Sequence, residues 1–410
     1  MAFVNKIMRS SPLTFPFAAL LRPMVSPRLV ARCLQAGQRG RFRIDGFGRK
    51  FDNAIVLAGG REYMAHRSMM AGFLAGIALL GSGSAVRAQA VTKAWVSVAK
   101  GVDSGSCGAA SAPCRTFQYA HDHVIAGGEI DVLDPGGYGV LTITKAVSIV
   151  NDGSGTAGIT PTSGSAITVH ANPGDIVLLH GLTLDGLGQG GIGVNYVTGG
   201  GLVIQNCTAR NFTTAGIAIF AIATNHVNVE IRDSHLDDNV NPQNQASGLL
   251  YYPLATAQNS QLPAATPSVS MVIDNVTANR NNTGFTFAAA NASGGGLHAT
   301  IRRSSASQNS LYGFALANPG GADMGVIFDS AEAAHNGNIG IGVGNTNGTG
   351  STTVAISAVL VTNNGQFGIN NQIVSGTGNF FTAGNNLIGG NGGNAANNVN
   401  GAALTTYAFQ

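Results

Sequence analysis

The chain has 410 residues, 58 of them Gly, with 10% charged residues and a formal net charge of +3. That charge is uneven. Residues 1–90 carry 13 of the 22 Lys and Arg but only three acids, whereas residues 91–410 hold nine cations against 16 acids, a net charge of −7. The region expected to fold therefore lacks the basic stripe with interleaved aromatics that nucleic-acid binding requires.

Residues 1–63 are Arg-rich, broken by Pro12, Pro16, Pro23 and Pro27, and without sustained periodicity. They read as a non-structural extension upstream of a secretion signal. Either translation starts at Met64 or Met69, or the leader is unusually long. Residues 64–90 have the layout of a signal peptide: a charged start, the apolar run Ala71 to Leu80, and the small-residue end Ala88-Gln89-Ala90. The apolar run is well short of the roughly 20 residues that span a bilayer. Cleavage after Ala90 and a secreted or periplasmic product without a membrane span are the expectation. Cys107 and Cys114 lie seven residues apart in a small-residue loop just beyond it. In an oxidising compartment they can close a disulfide.

Residues 91–128 form an N-terminal segment with a short capping helix over Pro113 to Ala126, ended by Gly127 and Gly128. Short strands follow at Glu129–Leu133, Val140–Thr144 and Ala146–Val150, the first two separated by the turn residues Asp134 to Gly137.

From Val203 onward one phrase recurs about every 27 residues, counted from the sequence. Its apolar anchors are Ile204, Ile231, Ile273, Ile301, Phe328 and Ile356. Eight residues after five of them stands Asn: Asn239, Asn281, Asn309, Asn336 and Asn364. In the first copy, Asn211 comes one place early. Each copy closes on Gly and an apolar residue, from Gly216-Ile217 to Gly368-Ile369. Leu179 to Ile192 is an atypical copy without the Asn. Apolar residues alternate before each anchor and after each Gly, which places one face of each strand inward. Three short strands per repeat close one triangular turn. The Asn column is assigned to the corners, where it tolerates the left-handed region and can bond as a ladder. Cys207 falls at a small inward position and reads as a buried, inert thiol. Residues 129–390 are thus one all-β solenoid, with 391–410 as a tail or cap.

The stretch from Cys114 through Gly127–Tyr138 to Leu141–Ile149, together with the repeat, resembles the right-handed parallel β-helix superfamily with the pectin-lyase-like fold. Its first turns resemble those of uncharacterised secreted bacterial members. The resemblance spans roughly residues 95–390. It implies the fold but no single activity, since that superfamily includes lyases, hydrolases, epimerases, adhesins and tailspikes.

Chemistry is sparse. Of the motifs that polygalacturonase-type hydrolases carry, only the adjacent acids Asp237 and Asp238 are present, without the partners that acid–base cleavage needs. They are the weak catalytic candidates. The residue after each anchor alternates in sign from Arg232 to Asp274, Arg302 and Asp329. Stacked, these form an outward column that reads either as an ion-pair ladder or as a cation- and uronate-binding face. Ca²⁺ is implied only if the protein is a lyase, with carboxylates as its ligands. The histidines keep no metal-ligand spacing. The repeat that contains Asp237–Ser268 is long, and its amides and Tyr252 suit sugar hydroxyls and rings; Tyr251 is expected inward.

The functional expectation is a secreted, non-catalytic protein that binds polysaccharide or cell-surface glycan, or scaffolds a surface. The alternatives are a polysaccharide lyase or glycoside hydrolase with an unrecognised site, and a purely structural or adhesive protein.

Overall fold

In a computed structural model, the described residues are 91–407, without 106, 222–225, 254–267, 290–294, 319–321, 346–349 and 374–377. The segments expected to be the upstream extension and the signal peptide, and residues 254–267 of the long repeat, therefore lie outside the described residues.

The described chain winds into a stack of parallel strands with three walls. The anchor wall runs in chain order from Val91–Val96 to Thr405–Thr406. A ten-stranded wall, here the glycine wall, begins at Leu141–Ile143 and ends at Val399–Gly401. Short strands such as Thr208–Arg210 and Glu332–Ala334 form the third. Register follows the repeat: Leu179, Ile204, Ile231, Ile273, Ile301, Phe328 and Ile356 pair one above another. All seven are essentially excluded from solvent. Parallel strands stack about 4.8 Å apart, so every inward position becomes a column. In one such column Phe285 and Phe314 stack with centroids 5.0 Å apart, and Phe328 meets Phe314 edge-on at 4.9 Å.

The corners differ from the sequence-based assignment. The left-handed residue is the one before the Asn: Asp238, Arg280, Gln308, His335 and Asn363 have φ between 54° and 61°. Asn211, at φ 60°, belongs to that column. Its early position is therefore no slip of the ladder. A second left-handed corner falls two residues after each anchor, at Asn206, Asp233, Asn275, Arg303, Ser330 and Ala358. The Asn residues themselves turn inward and are buried at 0–2% exposure, Asn391 included. Each Oδ1 accepts the backbone N–H of the Asn one turn earlier, at 2.8–3.0 Å. Phe212 takes the ladder place in the first copy, its N–H donating to Asn239 Oδ1 at 3.0 Å. The amide thus satisfies a backbone donor that the corner withdraws from both strands and water.

The Gly of each copy lies inside a strand of the glycine wall. A Cβ on Gly313 or Gly340 would lie 2.8 or 2.7 Å from the Asn amide nitrogen of the next turn. Asn and Gly form one packing unit, with the missing side chain making room for the ladder.

The N-terminal helix is shorter than expected, Phe117–His123, with Thr116 Oγ1 accepting from the Tyr119 N–H at 3.2 Å. Val124–Val132 is already a strand, consistent with the β-branched Val124 and Ile125. A strand that the sequence reading did not assign, Val91–Val96, pairs with it. Cys107 and Cys114 are disulfide-bonded, with Cα atoms 4.9 Å apart. Cys207 is buried, and burial pushes its thiol up to about 11.

His121 of the helix is 1% exposed. Its Nε2 accepts the Thr144 N–H at 3.2 Å, and its Nδ1 lies 3.1 Å from Asp122. Burial lowers its pKa, opposed by the hydrogen bond with Asp122, with Lys145 also lowering it. Protonation of Nε2 would break the bond to Thr144. A histidine whose folded pKa is lowered contributes fully above its unfolded pKa, about 6.5. That contribution is lost as pH falls from there through the folded value. The protection factors of amides over 117–144 are therefore expected to fall between about pH 7.5 and 5.5 relative to those of the 300–345 turns. Unchanged relative protection of the two regions would disprove the effect.

Candidate functional site

The outer face of the anchor wall presents every second residue of its strands. Over the turns from Val269–Thr277 to Thr352–Ser357 these outward positions line an open groove of ≈ 560 Å³. Val272, Thr300 and Ile327 make one outward column across it and Ser270, His298, Gly325 and Thr353 the next, with Asp323 and Ser351 also lining it. Ile327 is 51% exposed. Gly325 matters for a spatial reason: a Cβ there would sit 3.1 Å from His298 Nδ1. Its absence leaves the imidazole uncovered beside the groove.

Two residues further along the same strands, about 7 Å by strand geometry, lies a charged cluster. Asp274 is its centre, its side chain 3% exposed. Arg232 reaches it at 2.9 Å, Arg302 at 3.0 Å and Arg303 at 2.7 Å. Glu230 pairs with Arg232 from the side. Asp329 stands opposite Arg302 in register but is exposed and bonds to Ser330 Oγ at 3.2 Å. Among the described residues it makes no ion pair. The alternating column is therefore a hub on one acid, not a ladder. The reason is Arg303: at its left-handed corner, φ 49°, it turns back to Asp274 from a column otherwise filled by Asn, Asp, Ser and Ala.

The other candidates lie elsewhere. Asp237 accepts from Asn279 N at 2.8 Å and from Thr277 Oγ1, while Asp238 takes a bidentate pair from Arg280 at 2.8 and 3.0 Å. Both carboxylates tie the corner to the next turn, and neither borders the groove. Tyr251 is fully buried, and Tyr252 packs beside Ala215, Ala218 and Leu250 outside the glycine wall. Tyr252 is thus on a different wall from the arginines. The amides around the insertion bond to the protein, as Asn241 Nδ2 does in donating to the Thr213 carbonyl at 2.7 Å.

No group of three His, Cys, Asp or Glu is placed to hold a metal among the described residues. Asp274, the one buried acid on this face, is surrounded by guanidinium groups that compete for its oxygens.

These walls define the chain as a parallel β-helix of the pectate-lyase-like fold. A matching solved structure is described as "Crystal structure of pectate lyase Pel9A", with a TM-score of 0.51 and 16% sequence identity over 78% of each chain. At that identity the likeness is one of fold. No protein-family model and no curated protein matches the chain. No helix among the described residues is long and apolar enough to cross a membrane.

Proposed function

We propose that the protein is an exported β-helix that binds polysaccharide, or scaffolds a surface, without cleaving it. The observation that supports this most is an open groove of mixed polar and apolar lining beside a cluster of guanidinium groups on one wall. Sugar-binding sites combine ring-sized apolar surface with a few fixed polar groups. Asp237 and Asp238, the acids suggested for catalysis, are held by Arg280 and by corner bonds. Export is supported by the leader layout and by the Cys107–Cys114 disulfide, which suits an oxidising compartment.

The enzyme alternative rests on His298 and Asp323 bordering one groove. Against shared chemistry between His298 and Arg302, four residues along one strand separate them by about 13 Å, too far to act on one sugar ring. A glycan panel with the purified protein tests both readings, with binding and the absorbance of unsaturated products followed with and without Ca²⁺. Binding without product is expected. Product formation that disappears in His298→Ala would replace the non-catalytic reading, and failure to bind any glycan would remove it.

A further inference from the structure

The charges around Asp274 are unevenly placed. Glu230 and Asp233, the other acids acting on the cluster, both act on Arg232, whereas among the described residues Arg302 and Arg303 ion-pair with Asp274 alone. A balancing acid is within register reach, because Asp329 is the Cα partner of Arg302. Arg302 turns instead to the acid that Arg232 and Arg303 already share.

Depth is also unequal. Asp274 is at 3% exposure, whereas the Arg302 and Arg303 side chains are at 40% and 65%. The negative charge is sunk, and the positive charges are held above it towards solvent. A guanidinium carries five N–H donors in a planar fork. The bonds to Asp274 occupy few of them, and the Arg302 and Arg303 side chains keep exposed surface on which the others lie. Such a fork matches a carboxylate or a sulfate ester bidentately. Fixing the side chains in advance on a buried acid lowers the entropy lost when an anion binds. The groove about 7 Å away offers apolar surface to the ring that carries the anion.

We propose that Arg302 and Arg303, with Arg232, gathered on Asp274, form an oxyanion site that takes the carboxylate or sulfate group of an acidic polysaccharide without a metal ion. Asp274 is a positioning residue in this site: it aims the arginines and does not touch the ligand. The polysaccharide part of this inference rests on the glycan-binding reading above.

The test is titration of the full-length protein, in EDTA, with polygalacturonate, dextran sulfate and unmodified dextran. A parallel arm compares melting temperature in sodium sulfate and in sodium chloride at equal ionic strength. At least one acidic polymer is expected to bind in EDTA more tightly than dextran, and binding should weaken with salt. Whichever of the two binds identifies the anion. Arg302→Ala and Arg303→Ala should each weaken it about tenfold or more, as loss of a charge-assisted bond implies. Arg303→Lys should recover only part, since a point charge lacks the fork. Arg303 is the most exposed of the three, and its removal leaves two partners on Asp274. The Arg303→Ala variant is therefore expected to fold.

Equal binding of acidic polymer by wild type and both alanine variants overturns the site, as does binding that EDTA abolishes. If dextran binds as well as the acidic polymers, the anion site fails and the glycan-binding reading stands. If no polymer binds but sulfate raises the melting temperature of wild type and not of Arg303→Ala, the oxyanion site stands and the glycan reading fails. No sulfate effect and no polymer binding removes both.

Discussion

Asn336→Ala is expected to lower folding stability by about 3–9 kcal/mol, because three buried polar groups lose their partners at about 1–3 kcal/mol each. Asn336 Oδ1 accepts from the backbone N–H and the Nδ2 of Asn309 at 3.0 and 2.9 Å. Its Nδ2 donates to the Ala306 carbonyl at 2.9 Å. All three groups are inside the stack, and Asn309 and Asn336 are each 1% exposed. Domain stabilities are about 5–15 kcal/mol, so the loss is a large share of the whole. Asn398, at the end of the ladder, is the control. It accepts from Asn391 N and Nδ2 at 3.3 and 3.1 Å but is only partly buried. Asn398→Ala should therefore cost about 1 kcal/mol. Urea unfolding of the two variants beside wild type measures the difference. Equal midpoints for Asn336→Ala and Asn398→Ala would show that the ladder is decorative.

Gly313→Ala should destabilise by about 3 kcal/mol, at the upper end of overpacking. The new Cβ would meet Gly340 O at 2.7 Å, with Ala306 O and Asn336 Nδ2 at 2.8 Å. Two of these neighbours are backbone oxygens fixed by the parallel register, and the third is the ladder amide, so none can yield cheaply. Gly313 has no positive φ; the cost is steric, not conformational. The double variant Gly313→Ala/Asn336→Ala separates the two effects. Removing the amide relieves one of the three contacts, so the combined loss should fall short of the sum. Strict additivity would show that the Gly and the Asn do not form one unit.

Much of the fold was legible because a solenoid repeats its inward positions at a fixed spacing. The anchors, the inward Tyr251 and the ladder are properties of columns, and columns can be read from one chain. Asn211 was misread because the eye follows residue type. The left-handed corner accepts Asp238, Arg280, Gln308, His335 and Asn363 alike, so it leaves no compositional trace. The helix was overextended because Val124 and Ile125 fit an amphipathic face as well as a strand, and pairing with Val91–Val96 settled the matter. Of the candidate site, Arg232, Asp274 and Arg302 were visible as a sign-alternating column. One further signal was available: Arg303 is the lone long cation in its corner column.

By itself, then, the sequence determined the winding, the inward columns and the acidic balance of the folded region, since these depend only on periodicity and counts. Tertiary structure decided where charge is gathered. Whether Arg302 reaches Asp329 or Asp274 depends on which carboxylate is already desolvated and shared. That is a property of three turns together, not of any one repeat. The groove has the same origin: Gly325 is an unremarkable residue until His298 of the preceding turn lies beside it.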